Sequence, residues 1–163
     1  MIEIAAVCGP TDEIRLLVGE LNEELGALYS AEQRHGLALD ALFQPHIRFF
    51  VARADGRPAG CGGVALFKDF AEIKRMYVRS ALRGQGIADA MARLTAETAQ
   101  AGLALLKLET GVYSGAAIQF YRRSGFAVCG AYEPYTAMPP QATVTSVFME
   151  KSVTPARETA ARG

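Results

Sequence analysis

Arg83, Gly84, Gln85, Gly86, Ile87 and Ala88 carry the clearest chemical signature in the chain, because they stand between an apolar, β-branched run and a long amphipathic helical pattern. Gly84 and Gly86 have no Cβ, so a loop built on them lets its backbone approach a ligand closely. The N–H groups of the helix that follows have no intrahelical partner and point at an anion. That chemistry suits a pyrophosphate. Two other phosphate motifs do not fit: a dinucleotide fingerprint needs a third small residue where Asp89 stands, and a P-loop needs a Gly-Lys-Ser/Thr ending that is absent. The other use of such glycines is a tight turn into a core helix.

The elements that must position this turn follow from periodicity. Residues 72–78, ending Met76-Tyr77-Val78, read as a strand, and residues 79–82 connect it to the turn. Ile87, Met91, Leu94 and Thr98 fall at helical spacing, and Gly102 stands where a left-handed helix end is expected. Upstream, residues 2–7 read as a strand. A helix follows, with Thr11 as N-cap, Asp12 and Glu13 in its first turn, an apolar stripe of Ile14, Leu17, Val18, Leu21 and Leu25, and Gly26 at its end. Residues 29–45 are less regular, with a short helix at 38–43. Strands at 47–54 and 58–67 are joined by Asp55-Gly56, a hairpin signal. Downstream, the pattern gives a strand at 105–109, a helix at 114–124 ended by Gly125, and strands at 126–131 and 144–150 separated by a loop at 132–143. The sum is a mixed α/β sheet of about seven strands, antiparallel at first and switching to parallel pairing around the glycine-rich helix. Strand–helix–strand order predicts that parallel pairing. Residues 1–153 form one expected domain, and the polar, alanine-rich residues 154–163 an expected disordered tail.

The 163 residues carry 17 basic and 17 acidic side chains, so no net field favours nucleic acid or an anionic membrane surface. No segment has the length of a membrane span, and the N-terminus lacks the basic region and apolar core of a signal peptide, so a soluble, cytoplasmic protein is expected. Cys8, Cys61 and Cys129 are odd in number and lack metal-ligand spacing, which predicts reduced, mostly buried thiols and no metal site.

With these elements in order, the chain from about residue 49 to 151 resembles the GNAT superfamily of acetyl-coenzyme A-dependent N-acetyltransferases. The family's Gln/Arg-x-x-Gly-x-Gly/Ala signature is met by Arg83, Gly86 and Ala88, after the strand ending Met76-Tyr77-Val78. Its second signature, a helix with a small residue, a Phe-Tyr pair and a closing Gly-Phe, is met by Ala117, Phe120, Tyr121, Gly125 and Phe126. The resemblance implies a splayed central sheet flanked by helices, the acyl-CoA N-acyltransferase fold. It also implies that the pantetheine arm of acetyl-coenzyme A pairs like an extra strand with Met76, Tyr77 and Val78, and that the pyrophosphate rests on the N–H groups of residues 83–89, including Gly84, Gln85, Ile87 and Asp89. Arg83 and Arg123 are positioned to add charge-assisted bonds to phosphates, and Ala117 and Phe120 to line the coenzyme. Ser114 stands where many relatives carry Asn, and serine can still act as a helix N-cap.

Acetyl transfer to an amine, with coenzyme A as product, needs a neutral amine, a donor for the developing oxyanion and a proton for the leaving thiolate. By family position Tyr121 is the expected general acid. Glu72 is the expected base, because strand alternation places Glu72, Lys74 and Met76 on one face beside the coenzyme; His35 is a further candidate. Tyr29, His35, Tyr132 and Tyr135 are expected to shape the acceptor site for a small-molecule, amino-acid or peptide amine. A homodimer is an expectation from the resemblance alone. The alternative to an enzyme is a non-catalytic acyl-coenzyme A-binding or sensing module.

Overall fold

The computed structural model describes residues 1–87 and 89–157. In chain order these form β1 (Ile2–Val7), α1 (Asp12–Gly26), β2 (Ile47–Ala54), β3 (Arg57–Leu66), β4 (Ala71–Val78), α2 (Asp89–Gln100), β5 (Leu105–Gly111), α3 (Gly115–Arg123), β6 (Ala127–Cys129), α4 (Pro140–Thr143) and β7 (Ser146–Ser152), with short 3-10 turns between some of them. Ala88 and residues 158–163 of the expected tail lie outside the described residues. Just before them, Val153 is buried and the Ala156 N–H donates to the Ala99 carbonyl, which ties residues 153–156 to the end of α2.

All seven strands join one sheet in the order β1-β2-β3-β4-β5-β7-β6. The antiparallel half forms as the sequence predicts: Asp55 and Gly56 both have positive φ, 48° and 78°, the twist that a two-residue hairpin between β2 and β3 requires. Thr11 caps α1 by accepting from the Ile14 N–H. The expected switch to parallel pairing is narrower than the element order suggests. β4 and β5 are parallel over only two pairs, Ala71 with Leu106 and Glu72 with Lys107. β7 then inserts antiparallel between β5 and β6, so the strand–helix–strand unit β5-α3-β6 gives no direct parallel pair. A seven-residue antiparallel ladder on β7 takes the place that β6, only three residues long, would have filled.

β4 contains a bulge. Gly63 faces Lys74 and Cys61 faces Tyr77, so Arg75 and Met76 together oppose Gly62, and Arg75 adopts a left-handed φ of 53°. The extra residue inverts the alternation that follows. Ile73 and Met76 both pack with Leu94 in the core under α2 and α3, whereas Tyr77 packs with Ile14, Leu17 and Leu21 under α1. The expectation that Glu72, Lys74 and Met76 share a face is therefore corrected: Glu72 and Lys74 lie on the α1 side and Met76 on the other.

Burial puts α1 on one face of β1–β4 and α2 and α3 on the opposite face. On the α1 side of β7, Tyr132, Tyr135 and Phe148 form a separate aromatic cluster with Phe70. Cys61 is buried, and that burial pushes its thiol up to about 12. Cys129 is half-buried and Cys8 is exposed, against the expectation of mostly buried thiols. Among the described residues no helix is long and apolar enough to cross a membrane.

Candidate functional site

Because β4 and β5 stay paired for only two residues and then diverge, the β4 edge beyond Glu72 has no strand partner on that side. An unpaired edge carries a row of free N–H and C=O groups. Ile73, Met76, Tyr77 and Val78 on one side and Leu108, Glu109, Thr110 and Gly111 on the other line a cavity of about 830 Å³ that fills the gap. The cavity is of the size that holds a small ligand or cofactor.

One end of the cavity is closed by Arg83, Gly84, Gly86 and Ile87, with Ala117, Phe120 and Arg123 of α3 opposite. Gly84 and Gly86 both have φ of 83°, and a Cβ at either would face open space, so these glycines are required by backbone conformation and leave the loop accessible. Ile87 is buried and pins the start of α2 against Ala52 and Ala59. Gln85 is exposed, its side chain lying over the Ala81 carbonyl at 3.5 Å. Asp89 is the first residue of α2. Arg83 does not point along the cavity: its Nε donates to the Val78 carbonyl at 2.9 Å and its Nη2 pairs with Glu24 at 2.8 Å. Arg123 is exposed at the rim.

The middle is commanded by Tyr121. Helical spacing on α3 turns its ring into the core against Phe126, and the residue is 7% exposed while still lining the cavity. Burial, and after it the charge of Glu109, raises the phenol far above its ordinary value, so it stays protonated. Glu109 reaches the same cavity from the opposite face of the sheet, since Leu108 beside it belongs to the core under α3. Its carboxylate accepts from the Ser146 hydroxyl at 2.6 Å. Burial raises it, against the lowering effects of that hydrogen bond, His35 and Lys74.

The far end is a polar network. Glu72 is 2% exposed and is held by three donors: Lys74 Nζ at 2.5 Å, Tyr132 Oη at 2.6 Å and Tyr135 Oη at 2.8 Å. Lys74 Nζ also donates to Tyr135 Oη at 3.2 Å. Burial first, and then the Glu72 charge, pushes both phenols well above their ordinary value. Lys74, Tyr135 and His35 line the cavity, while Glu72 and Tyr132 lie behind that wall. His35 Nε2 is 2.7 Å from the Ala142 carbonyl, which can only accept, so Nε2 carries the proton and Nδ1 is left as the ring's acceptor. Tyr29 lines the cavity but also braces its floor: its hydroxyl bonds Ser114 Oγ and accepts from the Tyr113 N–H, both at 2.9 Å, and a Cβ on Gly111 would overlap it. Ser114 stands at the N-cap position of α3 as the sequence predicts, but its hydroxyl is engaged by Tyr29 and makes no side-chain capping bond.

Residues 45–128 match the family model of the acetyltransferase (GNAT) domain. The chain is 43% identical over 143 residues to an IAA acetyltransferase of Azospirillum brasilense, spanning 86% of this chain and 90% of that one. The chain belongs to the GNAT acetyltransferase family. It is also 30% identical over 146 residues to the uncharacterized N-acetyltransferase YsnE of Bacillus subtilis, covering 85% and 93% of the two chains. Among solved structures, a putative acyl-CoA N-acyltransferase from Klebsiella pneumoniae superposes with a TM-score of 0.76 at 31% identity over 94% of this chain and 98% of that one. The mixed sheet with its splayed centre is the fold of this family, and the protein is an N-acetyltransferase.

In this GNAT enzyme the segments that carry the two motifs line one cavity, together with polar side chains that no motif marks. Glu109, Ser146, Lys74, Arg34 and Arg75 were not singled out as site residues, yet all but Ser146 line the cavity. Glu109 alternates with Lys107, away from the buried Leu106 and Leu108, so its only signal in the sequence is that of a surface carboxylate. Ser146 carried none. Among the described residues no group of three or more His, Cys, Asp or Glu side chains is placed to hold a metal ion.

Proposed function

We propose that this enzyme moves the acetyl group of acetyl-coenzyme A to an amine by direct attack, releasing coenzyme A. The observation that carries the reading is the continuity of one cavity from the turn at Gly84 and Gly86, along the open β4 edge, to Tyr121, Glu109 and His35. The donor set fits the coenzyme: a helix start and glycine N–H groups suit a pyrophosphate, and an unpaired strand edge suits an extended, amide-bearing arm. When bound, acetyl-coenzyme A supplies an activated acyl thioester at the middle of the cavity.

The chain's own groups then divide the work. A backbone N–H of the β4 edge at the bulge polarises the acyl carbonyl. His35 takes the ammonium proton at Nδ1, held in the right tautomer by the Ala142 carbonyl. Glu72, with both oxygens engaged, reaches the amine only through the Tyr135 hydroxyl, so its part as base runs through that phenol. As the N–C bond forms and the C–S bond breaks, Tyr121 gives its proton to the departing sulfur. The ammonium loses two protons, one to His35 before attack and one through Tyr135 to Glu72 as the N–C bond forms; one proton reaches the thiolate from Tyr121, so one is released to solvent over the cycle. The acceptors to try are small amines, amino acids and peptide amines, together with IAA, which the Azospirillum relative's name carries.

The test is Tyr121→Phe. Removal of a positioned general acid should lower kcat by about 10²- to 10⁴-fold while acetyl-coenzyme A still raises the melting temperature. Thiol release that continues at the wild-type rate would overturn the role. No thiol release by the wild type from a broad amine panel, with stabilisation by the coenzyme intact, would overturn transfer itself.

A further inference from the structure

Beyond the coenzyme end the cavity is walled by two arginines that have no carboxylate partner among the described residues. Arg34 and Arg75 line it, and both also border a second cavity of about 460 Å³ between α1 and residues 36–39, where Arg15 and Asn22 join them. Three other arginines that reach α1 are paired with its carboxylates: Arg53 with Glu13 at 2.8 Å, Arg79 with Glu20 at 3.0 Å and Arg83 with Glu24 at 2.8 Å. Arg34 instead donates from Nε to the Ser30 carbonyl at 3.4 Å, and Arg75 donates from Nη2 to Asn22 Oδ1. Arg75 Nε is buried without a partner among the described residues. Of the carboxylates nearby, Glu72 is held by three donors and Glu109 accepts from Ser146, and among the described residues neither is paired with Arg34 or Arg75.

The fold imposes this arrangement. Arg75 stands at the left-handed position of the β4 bulge, and its guanidinium passes where Gly36 has no Cβ. Burial, and then repulsion by Arg34, holds its guanidinium below the ordinary value. Two like charges gathered beside a cavity and given no acid are completed by an anion from outside, and planar guanidinium groups match carboxylate and phosphate oxygens.

We infer that the acceptor is an amine that also carries an anionic group, a carboxylate or a phosphate, which Arg34 and Arg75 hold while the amine faces His35 and Glu109. This rests on the transfer reading above and narrows its substrate class. The amine end meets proton acceptors and the acid end meets fixed cations, so the two ends of one small molecule are read by different walls.

Matched acceptor pairs test it. Free L-amino acids are compared with their carboxamides, and O-phosphoethanolamine with ethanolamine, by thiol release from acetyl-coenzyme A. At least one anionic member should exceed its neutral partner by about tenfold or more in kcat/KM, the scale of a charge-assisted hydrogen bond; the responding pair distinguishes carboxylate from phosphate. Arg34→Gln, an exposed change with little risk to folding, should raise KM for that acceptor and bring the ratio toward one. Arg75→Gln should do the same if it folds. Equal use of anionic and neutral members, with thiol release intact, overturns this inference and leaves transfer standing. If no amine releases thiol, transfer falls, and melting temperature with coenzyme A present decides the inference separately: anionic members should stabilise the wild type and not Arg34→Gln, and no shift overturns it.

Discussion

At its α2 end the cavity is walled by backbone, from two left-handed glycines, a helix start and an unpaired strand edge, whereas at the far end it is walled by side chains that converge from β4, β5, the segment before α4 and residues 33–36. The difference is chemical. In the proposed function the first end takes a pyrophosphate, which needs N–H groups and room that one short contiguous motif supplies, and the second takes the acceptor, which needs charge, proton acceptors and shape that come from residues far apart in sequence. The first end can be altered by changing backbone freedom without disturbing the core. At the second, Glu72, Lys74, Tyr132 and Tyr135 hold one another, so removing one of them disturbs the rest.

The sharpest way to break that contrast is Gly86→Asp. The position is exposed, faces open space and has φ of 83°, so the substitution adds strain of about 1–2 kcal/mol and places a carboxylate in the proposed phosphate cradle. Stabilisation by acetyl-coenzyme A should disappear. For the wild type, ligand at about 100 times Kd adds about 2.7 kcal/mol to folding stability, readily seen as a rise in melting temperature. Unliganded Gly86→Asp should melt within a few degrees of the wild type. An undiminished ligand shift would show that the turn does not hold the phosphates.

Glu72→Gln makes the complementary break. The variant leaves the Lys74 ammonium, whose side chain is only 12% exposed, without its counter-charge, and gives the Tyr132 and Tyr135 hydroxyls a weaker acceptor. Removing one member of a buried pair costs about 3–5 kcal/mol, so urea unfolding should show a large loss of stability where Gly86→Asp shows a small one. Adding Lys74→Met should recover part of it. A Glu72→Gln protein as stable as the wild type would mean that the network is not the structural unit its geometry suggests.

Legibility in the sequence follows the same division. The turn at Gly84 and Gly86, the Asp55-Gly56 hairpin, the Thr11 cap and the Phe120-Tyr121 helix are local in sequence, and each is found where its residues predict. What escaped depends on register and on distant contacts. The bulge at Arg75 has no compositional mark, because an arginine in a left-handed conformation looks like any strand residue until its partner Gly62 is known. Missing it put Met76 on the wrong face. The insertion of β7 between β5 and β6 likewise depends on ladder length, which periodicity alone does not rank. Tyr29 and Ser114 are 85 residues apart, so neither the brace nor the loss of the cap could be read locally.

The smallest expected effect sharpens the comparison within the proposed acceptor end, where one carboxylate is fully engaged and the other is not. Glu72 is held by three donors, but Glu109 has one, the Ser146 hydroxyl, and burial raises it above its ordinary value of 4.5. A carboxyl raised in the folded state favours folding fully below the unfolded value and loses that contribution as pH climbs through the folded one. At neutral pH the charge of Glu109 therefore opposes folding. Glu109→Gln removes that charge and keeps an oxygen for Ser146, so it should stabilise the protein at pH 7 by on the order of 1 kcal/mol, opposite in sign to Glu72→Gln. The gain should shrink as pH falls and vanish below about 4.5, where the wild-type carboxyl is protonated in both states. Urea unfolding of both proteins at pH 7 and pH 4 measures this directly. A gain of equal size at both pH values would assign it to packing, and a loss at pH 7 would show that ionised Glu109 has a partner that offsets its burial.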